Sequence, residues 1–391
     1  MNKHQPSNLS NLPDLRTIFS TLPDWRINRT KYHKLEDILV IATCTMLCGQ
    51  EHFTHMEAFG TERRQWLEGF LELPHGIPSH DTFRNVFAAL DPARFLEAFG
   101  RWTEGVLERL RASGLGGKIE GVVAIDGKAL RGAINAGEQP RVIVGAWAAQ
   151  LGLCLGQVKV NEKSNEITAL PELLDLLALK GCIVTIDAMG CQREVAAKII
   201  ARGGDYVLAL KGNQGSLHEQ TRCYLDEAYE LARDLGNYHE EKARGHGRRE
   251  IRRCWAMDEL GDWLHGVEKW KDLRSVAVVE REWTEKGVTK VERRYYITSL
   301  EPDAEVIGRA VRSHWGIENS VHWVLDVVFR EDESRVRTGH APENLTALRR
   351  LACAMIKRAD PGSKTPIKLR RFKAAVNPTY LGRLLGVSLD A

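Results

Sequence analysis

The sequence predicts an α/β protein with a mixed β-sheet at its core, a helical N-terminal region and a β-rich insertion. Three observations carry this expectation. Residues 1 to about 115 space their apolar side chains with a helical period. The stretch that follows alternates short apolar runs with amphipathic helices in the order β-β-β-α-β-α-β, and strand patterning returns over 239–296 before a long helix. The implied division is a helical domain over 1–115, the first part of the core over 116–235, the insertion over 236–300, and the last helix with a basic tail over 301–391.

The elements follow in order. The stretch 35–47 is densely apolar, and 56–71, 81–90 and 92–110 repeat apolar residues every three or four positions. Pro74, Gly76 and Pro78 break this series, and Ser79 or Asp81 offers a cap for a short helix that presents Thr82, Arg84 and Asn85 outward. Such a helix after a tight turn is a candidate recognition helix, with a plain bundle as the alternative. Glycines over 114–121 mark a hinge. The apolar run 122–125 ends in Asp126, and 142–147 with 153–160 complete a three-strand meander. Ser164 or Asn165 caps a helix over 166–179, and Gly181 releases the chain into 182–186, a second apolar run that ends in an aspartate, Asp187. A helix over 193–201 leads to a strand over 206–210, and a further helix spans 217–235. Strands at 249–256, 275–280 and 293–299 make the insertion, and one long helix runs from about 303 toward 329.

Composition excludes several classes. A chain of 391 residues, 43% hydrophobic and 27% charged, is neither collagen-like, disordered nor a coiled coil. Its longest nearly uncharged apolar run, 38–49, falls short of the roughly 20 residues that span a bilayer, and the first residues lack an apolar signal region, so no membrane contact and a cytoplasmic location are expected. The eight cysteines show no C-x-x-C pair and read as reduced core thiols. From Arg335 to Ala391, 12 Lys and Arg oppose 3 Asp and Glu, a surplus of 9, so a net charge of +3 leaves −6 for the rest. A basic tail suits a nucleic-acid contact; a merely solvated tail is the alternative.

The pairs Ile125-Asp126 and Ile186-Asp187 are the sharpest chemical feature. On neighbouring parallel strands, about 4.8 Å apart, both carboxylates emerge at the same end. Like charges so close repel unless a cation lies between them, and a hard oxygen-seeking ion such as Mg²⁺ is the natural partner. An aspartate that only starts a turn is the ordinary alternative. His314, Glu318, His322 and Asp326 recur every four residues and form one polar helical stripe beside the apolar Ile317, Val321, Leu325 and Val328. A glutamate in that stripe could face the two aspartates and complete a two-metal site for in-line phosphoryl displacement. A solvent-facing stripe is the alternative. No H-E-x-x-H supports zinc, no P-loop supports nucleotide hydrolysis, no G-x-G-x-x-G follows a strand, and Ser or Cys nucleophile motifs are missing. Lys211 and Asn213, just after the strand over 206–210, stand where a phosphate could be touched, or simply form an exposed turn.

These residues carry a family resemblance. AIDGKALRG (124–132), VTIDAMGCQ (184–192) and DYVLALKGNQ (205–214) closely resemble DDE transposases of bacterial insertion sequences. HWGIENSVHWVLDVVFRED (314–332) resembles the glutamate-bearing helix of the branch called H-repeat-associated proteins, and GIPSHDTFR (76–84) fits the same branch. The resemblance implies an RNase H-like core and Mg²⁺, or Mn²⁺, held by Asp126, Asp187 and Glu318; the choice of Glu318 over Glu331 or Glu333 rests on the family motif. It implies an enzyme that binds element ends and target DNA, as a homodimer, and catalyses strand cleavage and transfer. A nuclease or resolvase without strand transfer and a retired DNA-binding protein are the rival readings. The broader superfamily carries Tyr, Arg and Lys around the glutamate, and here Val311, His314 and Leu325 stand in their places, with Arg312 and His322 as substitute DNA contacts.

Overall fold

The computed structural model describes residues 12–112, 121–130, 132, 141–149, 151–160, 165–245, 248–261, 263–317 and 321–387. The expected hinge at 114–120, the alternative cap Ser164 and the candidate ligand Glu318 lie outside the described residues.

Six helices open the chain: α1 (Leu15–Ser20), α2 (Leu35–Leu47), α3 (Phe53–Glu62), α4 (Arg64–Glu68), α5 (His80–Ala89) and α6 (Pro92–Ala112). Helix α2 is buried along nearly its whole length, as its largely apolar composition requires. The stretch expected as one helix over 56–71 is divided into α3 and α4 at Arg63. Ser79 caps α5, its hydroxyl accepting from the Thr82 amide at 3.4 Å.

The sheet begins with β1 (Val122–Leu130), β2 (Arg141–Ala148) and β3 (Leu153–Lys159), an antiparallel meander. Helix α7 (Glu166–Asp175), β4 (Ile183–Ile186), α8 (Arg193–Ala201) and β5 (Asp205–Leu210) follow. Strands β1, β4 and β5 are mutually parallel. The helix expected over 217–235 is two, α9 (Gly215–Glu227) and α10 (Tyr229–Asp234).

The insertion has four strands where three were expected: β6 (Tyr238–Gly245), β7 (Arg248–Met257), β8 (Ser275–Glu285) and β9 (Val288–Thr298). Strand β6 hides in a charged sequence, HEEKAR, whose cross-strand ion pairs replace apolar alternation as the pairing signal. The insertion also continues the core. Strand β9 pairs antiparallel with β5, so one nine-stranded sheet runs β3-β2-β1-β4-β5-β9-β8-β7-β6 and the open edge of β5 is satisfied.

Helices α7 to α10 cover one face of this sheet through Leu170, Leu173, Ile199 and Leu225. Helix α11 (Ala304–Ile317) covers the other, packing Ile307, Ala310 and Val311 on Val122, Val207, Ala277 and Tyr296. The helix expected to run unbroken toward 329 is α11 followed by a wider π-type turn over Val324–Val328, where the Phe329 amide reaches the Val324 carbonyl five residues back at 3.1 Å.

The segment expected as a basic tail is folded. Helices α12 (Ala341–Ala359), α13 (Ile367–Val376) and α14 (Pro378–Leu385) pack on α2, α5 and α6 and share one core with them. Four of its basic residues, Arg349, Arg350, Arg370 and Arg371, are buried and bonded internally. Sequence charge alone cannot separate a solvated cation from one spent on carbonyls and carboxylates inside the molecule.

Removal of residues 369–391 takes away Arg371 and the buried Ala374, Tyr380, Leu381, Leu384 and Leu385. Each lost core leucine costs about 2–5 kcal/mol, so the sum rivals the whole stability of a domain, about 5–15 kcal/mol. The truncated protein is expected to lose its cooperative thermal transition by circular dichroism; a folded truncation would show that α13 and α14 are dispensable.

Candidate active site

The parallel ladder between β1 and β4 stops at Ile125 opposite Ile186. Asp126 and Asp187 are the next residues on each strand, side by side at the carboxyl end of the pairing. Strand β1 does not end there, as the sequence suggested; it continues to Leu130 paired with β2 alone, and Asp126 faces Gly145. Asp187 opens a short 3₁₀ turn over Ala188–Gly190, where its Oδ1 accepts from the Met189 and Gly190 amides at 3.1 and 3.3 Å. Asp126 Oδ1 accepts from the Gly127 amide at 2.9 Å. Both carboxylates are half-buried.

The helical stripe reaches these strands. His314 Nδ1 lies 3.1 Å from the Thr185 hydroxyl on β4. His322 Nδ1 lies 3.5 Å from Asp126 Oδ2 on β1. Asp326 pairs with Lys128, two residues beyond Asp126 on the same strand. Burial pushes both imidazoles down: His314 sits below the usual histidine range despite the opposing field of Asp187, and His322, beside Arg350 and Lys128, falls to about 3. The His322–Asp126 contact is therefore one of a neutral ring, and the His322 Nε2 atom is buried with no hydrogen bond among the described residues.

The matched family settles what this arrangement belongs to. Residues 118–356 match the family described as Transposase DDE domain. The chain belongs to the DDE transposases. Residues 16–103 match the family described as DDE_Tnp_1-associated. The transposase is 35% identical to the putative transposase YncI of Escherichia coli O157:H7, an alignment covering 96% of this chain and 95% of the relative. It is 37% identical to the H repeat-associated putative transposase YhhI of E. coli K12, over 96% and 99% of the two chains. The five strands β3-β2-β1-β4-β5 are its RNase H-like core. Its reaction is DNA strand cleavage and transfer.

The family uses divalent metal ions, and the residues present suit a hard cation. Asp126 and Asp187 offer carboxylate oxygens on adjacent strands, and Asp187 Oδ2 has no partner among the described residues. Among the described residues no three His, Cys, Asp or Glu converge closely enough to hold an ion. A third carboxylate, Glu166 at the start of α7, leans over Gly127: a Cβ there would stand 2.5 Å from its Oε1. Burial, and secondarily the charge of Asp187, raise its pKa.

A cavity of about 230 Å³ opens beside Asp187, lined by Lys211, Arg294, His314 and Trp315 among others. Arg294 and Trp315 also line a groove of about 480 Å³ with Arg252, Arg281 and Arg312. Arg294 stacks on Trp315, its guanidinium carbon 3.7 Å from the ring centroid. Sequence reasoning missed Arg252, Arg281 and Arg294. Arg252 and Arg281 stand directly opposite each other on β7 and β8, a like-charge pair that Glu250 bridges. Only strand register, which the sequence does not print, brings them together.

The other expected contacts divide. Lys211 is exposed at the mouth of the cavity. Asn213 is engaged elsewhere: its amide donates to the Ala188 carbonyl at 2.6 Å and braces the turn that follows Asp187. Arg312 is exposed and 3.6 Å from Glu241. On α5, Arg84 and Asn85 are exposed, while the Thr82 hydroxyl lies 3.2 Å from that of Ser79.

Of the alternative glutamates, Glu331 is 3% exposed, 3.4 Å from Lys128 and 4.0 Å from Arg349. Glu331→Ala is expected to cost about 1–3 kcal/mol in urea unfolding, since it removes a buried carboxylate from between Lys128 and Arg349, which keep Asp326, Asp332 and Glu51. Glu333, exposed and paired with Arg330 at the surface, should cost under about 1 kcal/mol on the same change. Equal losses would refute the structural role of Glu331.

Proposed function

We propose that Asp126, Asp187 and Glu318 together hold Mg²⁺ or Mn²⁺ and that this transposase acts as a homodimer on the terminal repeats of its element. One observation carries the reading. The residues four before and four after Glu318 in the stripe touch the two strands that bear the aspartates: His314 meets Thr185, and His322 meets Asp126. Glu318 stands midway between them in the sequence. When bound, the ions would activate the attacking oxygen and stabilise the leaving one.

The chain's own groups supply the rest. The Asp187 carboxylate, braced by two amides through one oxygen, presents the other oxygen in a fixed direction. Lys211 and Arg294, lining the cavity beside Asp187, would orient the scissile phosphate, and Arg252, Arg281 and Arg312 would receive the neighbouring backbone. His314 and His322, neutral and half-buried, would act as hydrogen-bonding groups rather than phosphate cations, so Arg294 and Arg312 would take the part of the superfamily arginine and lysine. Helix α5, with Arg84 and Asn85 exposed, remains the candidate for reading the element ends.

Asp126→Ala, Asp187→Ala and Glu318→Ala are each expected to abolish cleavage of an end-bearing duplex, with affinity for that duplex kept within a few fold. Mg²⁺ or Mn²⁺ should support cleavage, and Ca²⁺ binding with little chemistry. A folded Glu318→Ala protein that cleaves at the wild-type rate would remove Glu318 from the site; cleaved ends that never join a target would favour a nuclease.

Lys364, Lys368 and Lys373 are exposed on and before α13. Replacing all three by Ala should flatten the slope of log affinity against log salt by as much as about 0.9 for each phosphate no longer neutralised, with the fold kept. An unchanged slope would place the DNA elsewhere.

A further inference from the structure

Helix α13 shows the solvent two kinds of side chain. At roughly 100° per residue, Leu369, Phe372 and Val376 fall within about 60° of one another around the helix, with Lys368 bordering them on one side and Lys373 on the other. Arg370, Arg371 and Ala374 point the opposite way and are buried. The three apolar residues are each more than half exposed. Scattered apolar residues are ordinary on a surface, but an unbroken stripe edged by cations marks a place for a partner.

The stripe continues toward the catalytic strands. Arg371, on the buried side of α13, donates to the Val328 carbonyl and lies over the Phe329 ring, its guanidinium carbon 4.0 Å from the centroid. That contact docks α13 on the turn over Val324–Val328, from which Val327 emerges more than half exposed, as does Trp323 just before it. Trp323 in turn follows His322, whose ring is 3.5 Å from Asp126 Oδ2. Apolar and cationic groups therefore lead from α13 to the edge of the site.

The charge of this surface points to its partner. Residues 361–379 contain Lys364, Lys368, Arg370, Arg371 and Lys373 and no Asp or Glu, which suits a polyanion and opposes a second copy of the same face, lysine against lysine. Cations alone would serve for an intact duplex, whose base faces are stacked inside and whose main outer apolar group is the thymine methyl. Exposed Phe, Trp and Leu find apolar partners in DNA where bases are unstacked, and an aromatic ring then carries a base on its face.

We propose that α13 and the adjoining turn form a docking surface for unpaired DNA beside the cut, on which Phe372 and Trp323 stack bases, Leu369, Val376 and Val327 pack around them, and Lys368 and Lys373 hold the flanking phosphates. The inference rests on the reading that the α13 lysines face DNA, and is independent of which carboxylates hold the metal ion.

The test is fluorescence anisotropy of the full chain with labelled probes of one mixed sequence: a single strand, the matching duplex, and a fork that is half paired and half unpaired. Phe372→Ala, Trp323→Ala and Leu369→Ala are compared with wild type, with Lys368→Ala/Lys373→Ala, and with Leu176→Ala, the exposed leucine that ends α7. All these positions are exposed, so the variants are expected to fold. Loss of one stacked base weakens binding by roughly fivefold or more, so Phe372→Ala and Trp323→Ala should each lower affinity for the fork and the single strand by at least about fivefold. Duplex affinity should stay within about twofold and the salt slope should not change, because no phosphate contact is lost. Leu369→Ala should act in the same direction, and Leu176→Ala should act on no probe. The lysine variant should weaken all probes and flatten the slope. If Phe372→Ala and Trp323→Ala bind the fork like wild type while the lysine variant binds it weakly, the stripe takes no bases and the lysine reading stands. Equal losses on duplex and fork overturn base docking as well. A lysine variant with wild-type affinity and slope on every probe would show that α13 faces no DNA, and both readings fall. If wild type sediments as a dimer without DNA and Phe372→Ala as a monomer, the stripe is an interface between copies and base docking is wrong.

Discussion

The point at which two parallel strands stop pairing governs this protein. Ile125 and Ile186 form the last rung of the β1–β4 ladder, and the residues after them carry the carboxylates. Everything near the site accommodates that rung. Strand β1 runs on alone with β2 and thereby offers Lys128 to a distant segment of chain. Asp187 turns at once into a 3₁₀ turn whose amides hold it, and Asn213 braces that turn from the end of β5. Two negative charges are tolerated at adjacent positions because backbone amides, of Gly127 for one and of Met189 and Gly190 for the other, meet them with partial positive charge.

A second feature, the buried ionic seam, explains how the helices and the sheet act as one body. From Lys128 the seam passes through Glu331 to Arg349, from Arg349 to Glu51 at 2.8 Å, and from Glu51 to Arg371 at 3.0 Å. It thus joins strand β1, the short turn over Glu331–Glu333, the loop before α3, and helices α12 and α13. Apolar residues of the same volume would give equal or greater stability, but not the directional matching of partners that fixes one strand against one helix. Arg350 makes the parallel link to β3, donating to Gln157 Oε1 at 2.5 Å beneath Trp147.

Much of this was legible in the sequence, for reasons that differ by residue. The strands that lead to Asp126 and Asp187 are short, apolar and β-branched, so both aspartates stand out at their ends without any structure. The stripe of His314, His322 and Asp326 was equally plain, and each of its described members does touch the sheet. The motif AIDGKALRG shows what residue patterns leave unsaid. Its Asp could be read, whereas the reasons for its glycines and lysine, room for Glu166 over Gly127, room for a backbone turn at Gly132 and three carboxylates around Lys128, arise from segments far away in the chain. Strand β6 and the arginines of the groove were hidden likewise, because cross-strand charge pairing leaves no periodic trace. Net charge could not show that the C-terminal segment is folded, because burial decides what each cation does.

The sharing of one core by the first and last helices has a consequence for how the protein is made. Helix α12 is buried along nearly its full length against α2, α5 and α6, and Arg371 bonds the Met46 carbonyl across more than three hundred residues. During synthesis the N-terminal helices emerge long before these partners exist. Their apolar faces must wait, covered by other means, until almost the entire chain has left the ribosome and a very long loop can close. A product that stops or shifts in frame before residue 341 would leave the N-terminal helices without the partners that complete their core.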